Sequence, residues 1–197
     1  MKKLLTVIVF TLFLFLLTAC GEKTTPSEFI KQENEQVLYV NNEKGFSFIM
    51  PATWEYMENA ELDQISFLSR KENANDPFQE NFYAGCGTST SPTKKNITAE
   101  EVYQMLIEKA ENGGGDTEGF SLLGYEYVTL ANEKALKLSF RGTSENAPDL
   151  DITFTQWYLS KGTTNYMCQY TAQTENYDKY LPVIDEAVAS FSYIMAE

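Results

Sequence analysis

The chain has 197 residues, no histidine, and 28 acidic against 15 basic residues, a net charge of −13. That balance argues against nucleic acid, whose binding needs a basic footprint. The missing histidine removes the commonest general base, the commonest transition-metal ligand and the usual pH switch, so a Ser-His-Asp or Cys-His mechanism is impossible within the chain.

In chain order, Lys2 and Lys3 precede an uncharged, largely apolar run over residues 4–19 that ends at Leu17, Thr18, Ala19 and Cys20. A charged start, an apolar stretch and small residues at its end read as a secretory signal. The run is too short for a stable span, which needs about 20 apolar residues. Leu17–Cys20 resembles the lipobox of bacterial lipoproteins. The resemblance implies that residues 1–19 are a signal peptide and that Cys20 carries a diacylglycerol and becomes the mature N-terminus. The expected place is the extracytoplasmic face of a bacterial cell membrane, lipid-anchored. Cleavage removes two lysines and no acid, leaving thirteen basic residues, twenty-eight acidic ones and a net charge of −15. Such a charge keeps the mature chain soluble and off anionic lipid.

Residues 20–36 follow as the lipidated cysteine and a polar tether containing Pro26, and an α+β domain is expected over 37–197. A short apolar strand covers 37–40, a turn 41–45, and a second strand 46–50, closed by Pro51 and followed by Trp54. Trp54 is expected to be a core anchor. Residues 65–69 read as a strand, 70–79 as a charged loop, and 81–89 as a strand rich in small residues. Thr98 and Glu101 form a capping box. Val102, Tyr103, Leu106, Ile107 and Ala110 then share one helical face. Gly113, Gly114 and Gly115 end this helix; without a following Lys-Ser/Thr they do not make a phosphate loop.

Two hairpins come next: 120–130 with 134–141, and 151–159 with 166–173 around a loop at 160–165. The first strand of the second hairpin puts Ile152, Phe154, Gln156 and Tyr158 on one face and Trp157 and Leu159 on the other. Ile184, Ala187, Val188 and Phe191 mark a closing helix. Hairpins with two separated helices describe an α+β fold, an antiparallel sheet with helices packed on it.

Three cysteines are an odd number for an exported chain. If Cys20 carries lipid, Cys86 and Cys168 are left as a pair, and a disulfide between them is expected. Glu58, Glu61 and Asp63 cluster after Trp54, and Asp149 and Asp151 flank Leu150. Either group offers oxygen ligands to a hard cation, but neither matches an EF-hand loop, and a solvated surface is the expectation. Asn96, Ile97 and Thr98 spell a glycosylation sequon that carries little meaning in a bacterial lipoprotein. No catalytic residue, metal or cofactor is expected.

Gly45, Phe46, Ser47, Phe48, Ile49, Met50, Pro51, Ala52, Thr53 and Trp54 resemble the opening of PsbP-like proteins, and Ala187, Val188, Ala189, Ser190 and Phe191 resemble their closing helix. The resemblance implies a twisted antiparallel sheet flanked by helices. It also implies binding rather than catalysis, since the family holds photosystem accessory subunits, a nuclear-transport regulator and exported lipoproteins. The expectation is a lipid-anchored accessory module that engages a protein partner at the cell envelope. The alternatives are a small-molecule or lipid binder using a crevice between sheet and helix, and a carboxylate-dependent hydrolase.

Overall fold

The computed structural model describes residues 27–59, 64–88, 98–112, 119–144 and 147–194. They form an α+β fold of two antiparallel sheets and two α-helices. Strands β1 (Glu28–Lys31), β2 (Gln36–Asn41) and β3 (Phe46–Pro51) make a small sheet with β11 (Ser192–Tyr193), in the order β1-β2-β3-β11. The larger sheet has seven strands, ordered β4-β5-β6-β10-β9-β8-β7. They are β4 (Glu55–Asn59), β5 (Gln64–Leu68), β6 (Asn81–Thr88), β7 (Phe120–Leu130), β8 (Glu133–Ser144), β9 (Ala147–Lys161) and β10 (Thr164–Gln173).

Helix α1 (Ala99–Glu111) covers one face of the larger sheet. Helix α2 (Tyr177–Ala189) and the small sheet cover the other. Strand β9 lies between these layers, and its residues alternate between two cores. Trp157 and Leu159 join the core under α2, with Phe46, Phe48, Phe67, Phe82, Ile184 and Val188. Phe154 and Tyr158 join the core under α1, with Tyr103, Ile107, Leu136, Leu138 and Phe140. This is the division of faces read from the sequence.

Local signals explain the elements. The Thr98 hydroxyl accepts the backbone N–H of Glu101, and the Glu101 carboxylate accepts the backbone N–H of Thr98, closing the capping box reciprocally. The turn after β2 is set by Asn41, whose side-chain oxygen accepts the N–H of Lys44, and by Gly45 at φ +69°. Trp54 is buried, with its ring edge-on to Tyr180 at 5.8 Å, as an anchor should be.

The structure differs from the sequence reading in several places, among them two sheets in place of one and the added strand β11. β1 lies inside the stretch expected to be tether. It pairs with β2, and Phe29 stacks on Tyr56 at 3.9 Å and also meets Tyr39 and Phe67. Phe29 packed on its aromatic neighbours and a free edge of β2 order this short strand, whose Ile30 stays exposed. β4 was not expected at all, because its sequence, Glu-Tyr-Met-Glu-Asn, carries little apolar content. The second hairpin turns tightly at Gly162 and Thr163 rather than over 160–165, since Gly162 adopts φ +63° and lets both strands run on to the turn.

Candidate functional site

The sequence-marked carboxylates do not assemble into a site. Glu58 is exposed on the edge strand β4, and Glu61 and Asp63 lie outside the described residues. Asp149 and Asp151 are exposed at the start of β9. The Arg141 guanidinium grips Asp151 through Nε at 3.1 Å and Nη2 at 2.6 Å. This bidentate contact holds the Asp151 carboxyl below the usual carboxylate range. It also takes the oxygens that a cation would need. Among the described residues, no three His, Cys, Asp or Glu side chains converge as a metal cage. Cys20 and the glycines 113–115 lie outside the described residues, as do Asn96 and Ile97.

Cys86 and Cys168 carry no disulfide in this structure. The register shows why. Cys86 stands opposite Tyr166, and Cys168 stands opposite Ala84, so the two cysteines are diagonal neighbours across β6 and β10. Diagonal Cα atoms lie about 7–8 Å apart, whereas a disulfide spans at most roughly 7 Å. Both side chains belong to the core under α2, where burial pushes the Cys168 thiol up to about 12.

The space beneath both helices is filled. Tyr103, Leu136, Leu138 and Phe140 on one side, and Tyr39, Phe46, Phe48 and Tyr170 on the other, are almost wholly excluded from solvent. Two clefts among the described residues lie at the margins of these cores. An open cleft of about 570 Å³ runs between the end of α2 and the β7–β8 hairpin, with Leu130, Lys137, Trp157, Asp185 and Ser192 in its walls. A second, of about 460 Å³, lies around Arg141, Asp149, Asp151 and Glu175. The second is walled mostly by polar and charged residues, whereas the first sets apolar residues such as Val128, Leu130, Trp157 and Phe191 beside Lys137 and Asp185.

Exposed apolar side chains lie elsewhere: Ile30 on β1, Tyr56 and Met57 on β4, Met105 on α1, and a row of three along β7. This strand ends the larger sheet, so its outer edge has no strand partner among the described residues. Leu123, Tyr125 and Tyr127 are 60%, 47% and 38% exposed along it. A bulge between Leu122 and Gly124 turns Leu123 out, and Tyr125 and Tyr127 then stand opposite Leu138 and Leu136, on the face that carries α1. A polar cluster fixes Tyr127. Its hydroxyl donates to Glu100 at 3.1 Å and accepts from Gln104 at 3.2 Å. The Lys134 ammonium lies 3.7 Å from the centre of its ring and 2.6 Å from Glu100. The Lys134 contact holds the Glu100 carboxyl below its ordinary range. Aromatic residues in a strand are expected to pack. The exposure of Tyr125 and Tyr127 follows from β7 being last in the strand order, which local sequence does not state.

No family model matches the sequence, and no curated relative matches it. Solved structures do share its fold. LpqN of Mycobacterium tuberculosis, described as involved in cell envelope biogenesis, is 14% identical with a TM-score of 0.60, over 81% of this chain and 91% of that one. Cyanobacterial PsbP from Synechocystis sp. PCC 6803 is 14% identical with a TM-score of 0.53, over 90% and 98% of the two chains. A protein of unknown function from Pseudomonas aeruginosa is 11% identical with a TM-score of 0.51, over 88% and 99%. At such identities the likeness shows the fold alone, and that fold is PsbP-like.

Proposed function

We propose that this protein is a lipid-anchored, extracytoplasmic accessory module that binds a protein partner at the bacterial cell envelope and has no catalytic activity of its own. The observation that carries this reading is the pairing of a filled interior with an exposed aromatic edge at Leu123, Tyr125 and Tyr127. A binder of small ligands takes a concave, mostly enclosed pocket, and the clefts beside α2 and around Arg141 are open at the margins of the two packed cores. A carboxylate-dependent hydrolase needs two carboxyl groups free to act across one bond. Glu58 on β4 and Asp149 on β9 are separated by three intervening strands, and Asp151 is held by Arg141.

Further support comes from the lipobox-like residues Leu17–Cys20 and from the fold shared with LpqN, a protein described as acting in envelope biogenesis. Strand β1 starts at Glu28, eight residues after Cys20, a length of chain that reaches at most roughly 28 Å. The anchor therefore keeps the module within a short distance of the bilayer while the net charge of −15 holds it off anionic headgroups.

Fractionation of cells carrying Cys20→Ser tests the anchor. The wild type is expected in the membrane fraction and the variant in the soluble one; equal membrane retention would remove the anchor from this account. Turnover of a peptide, ester or glycan that is lost on changing Glu58, Asp149 or Asp151 would remove the claim of no catalysis.

A further inference from the structure

We propose that β7 is the docking edge of this molecule and that its occupant is an extended basic segment of the partner protein, added to the larger sheet as an eighth strand. This rests on the reading of the chain as a partner-binding module and names the chemistry of what it binds.

Among the described residues no strand pairs with the outer edge of β7, an arrangement natural sheets usually avoid. Edge strands are commonly short, or guarded by lysine or proline. β7 is eleven residues long and contains no proline, lysine or arginine, and its one charged residue, Glu126, is already paired with Lys137 at 2.9 Å. The bulge at Leu122–Gly124 disturbs only the first part; from Gly124 to Leu130 the pairing with β8 is regular. Backbone N–H and C=O groups along that stretch can pair with an added strand. The opposite edge, β4, has five residues, carries Glu55 and Glu58, and has its exposed Tyr56 stacked on Phe29.

Charge selects the occupant. Side chains of an added strand alternate between the two faces, so every second one meets the α1 face. There they would lie beside Tyr125, Tyr127 and the flank of α1. Gln104 reaches Tyr127 from that flank. Glu108 and Glu111, exposed and one and two turns further on, continue the same helical stripe. The molecule already shows how this surface holds a cation: Lys134 rests on the Tyr127 ring and on the Glu100 carboxylate together. Tyr125, two residues away on the same face, has no described cation over its ring. An arginine or lysine of the added strand would take that place, between an aromatic face and nearby carboxylates. A second copy of this chain fits less well, because two molecules of net charge −15 repel and β7 has no basic residue to offer its copy.

The test uses the full-length chain in detergent micelles with two synthetic octapeptides of the same composition. In one, arginine alternates with valine; in the other, four arginines precede four valines. Amide hydrogen exchange is read strand by strand. The alternating peptide is expected to slow exchange in β7 by about tenfold or more, and the block peptide, with equal charge, is expected not to. Tyr125→Lys and the double change Glu108→Lys with Glu111→Lys are expected to abolish the slowing while leaving the thermal midpoint close to wild type. Equal slowing by both peptides, slowing at β4 instead, or no slowing in β7 would overturn the proposal. So would concentration-dependent protection of β7 without peptide, which would mark self-pairing. A partner found to crosslink only through other faces would sink the β7 assignment and leave the accessory role standing. A protein that binds the alternating peptide at β7 yet has no partner in its own envelope would do the reverse.

Discussion

The Ser190 hydroxyl accepts the backbone N–H of Ile49 at 2.8 Å and donates to the carbonyl of Ala187 at 2.7 Å. One residue ends α2 and the other lies in β3, 141 positions apart. The short strand β11 pairs only with Phe46 and Ser47 and stops before Ile49. Ser190 therefore supplies the acceptor that the missing strand would have given. The same contact joins the two sequence segments that resemble PsbP-like proteins. Ser190→Ala is expected to cost about 1–2 kcal/mol, because a partly buried donor loses its partner. Chemical denaturation of wild type and variant reads this. An unchanged midpoint would show that the bond contributes nothing.

Trp54→Ala should destabilise far more, by about 3–5 kcal/mol, through loss of a large buried ring. The ring packs edge-on against Tyr180 and belongs to the core under α2. Thermal unfolding measures the loss, and a change below about 1 kcal/mol would contradict this placement.

Glycine is favoured at the first position of both hairpin turns. Ala131 and Asn132 both adopt positive φ, +49° and +62°, as a two-residue turn between β7 and β8 demands. The left-handed conformation strains alanine, so Ala131→Gly is expected to stabilise the protein by up to about 1 kcal/mol. Gly162 holds the corresponding strain-free place at φ +63°, and Gly162→Ala is expected to destabilise by a similar amount. Urea midpoints of the two variants should move in opposite directions.

Much of this fold can be read locally. The capping box at Thr98, the alternation through β8 and β9, and the stripe ending at Phe191 each state their own structure within a dozen residues. What cannot be read depends on distant partners. β1 forms because Phe29 finds Tyr39, Tyr56 and Phe67. Gln156 and Gln169 look like surface residues but are buried on the central strands. There Tyr158 donates to Gln156, Gln156 to Gln169, and Gln169 to Thr171. A buried polar chain is tolerated because its members satisfy one another. The exposure of Tyr125 follows only from the strand order.

Cysteine chemistry offers a further check. With both cysteines as thiols, the native, unreduced protein at pH 8 should be alkylated at the partly exposed Cys86 and spared at Cys168, whose thiol burial pushes up to about 12. Denaturant should expose Cys168 as well. If neither reacts until a reductant is added, a bridge exists after all. The same burial has a consequence for stability. The folded state keeps Cys168 protonated while the unfolded chain ionises near pH 9, so its contribution is whole below pH 9 and is lost as pH rises towards 12. Burial also raises Tyr39, Tyr103 and Tyr177, which adds to that alkaline loss. The urea midpoint should therefore hold from pH 7 to 9 and fall beyond.

The central claim is that a lipid-held module presents β7 to a protein in its own envelope. Photo-crosslinking in living cells tests it most directly, with a photoreactive residue in place of Tyr125 and, separately, in place of Tyr56. One adduct of discrete mass is expected from position 125, with none from position 56 and a sharply reduced yield when Cys20→Ser releases the module from the membrane. No adduct from position 125, or an equal yield after Cys20→Ser, would contradict the account.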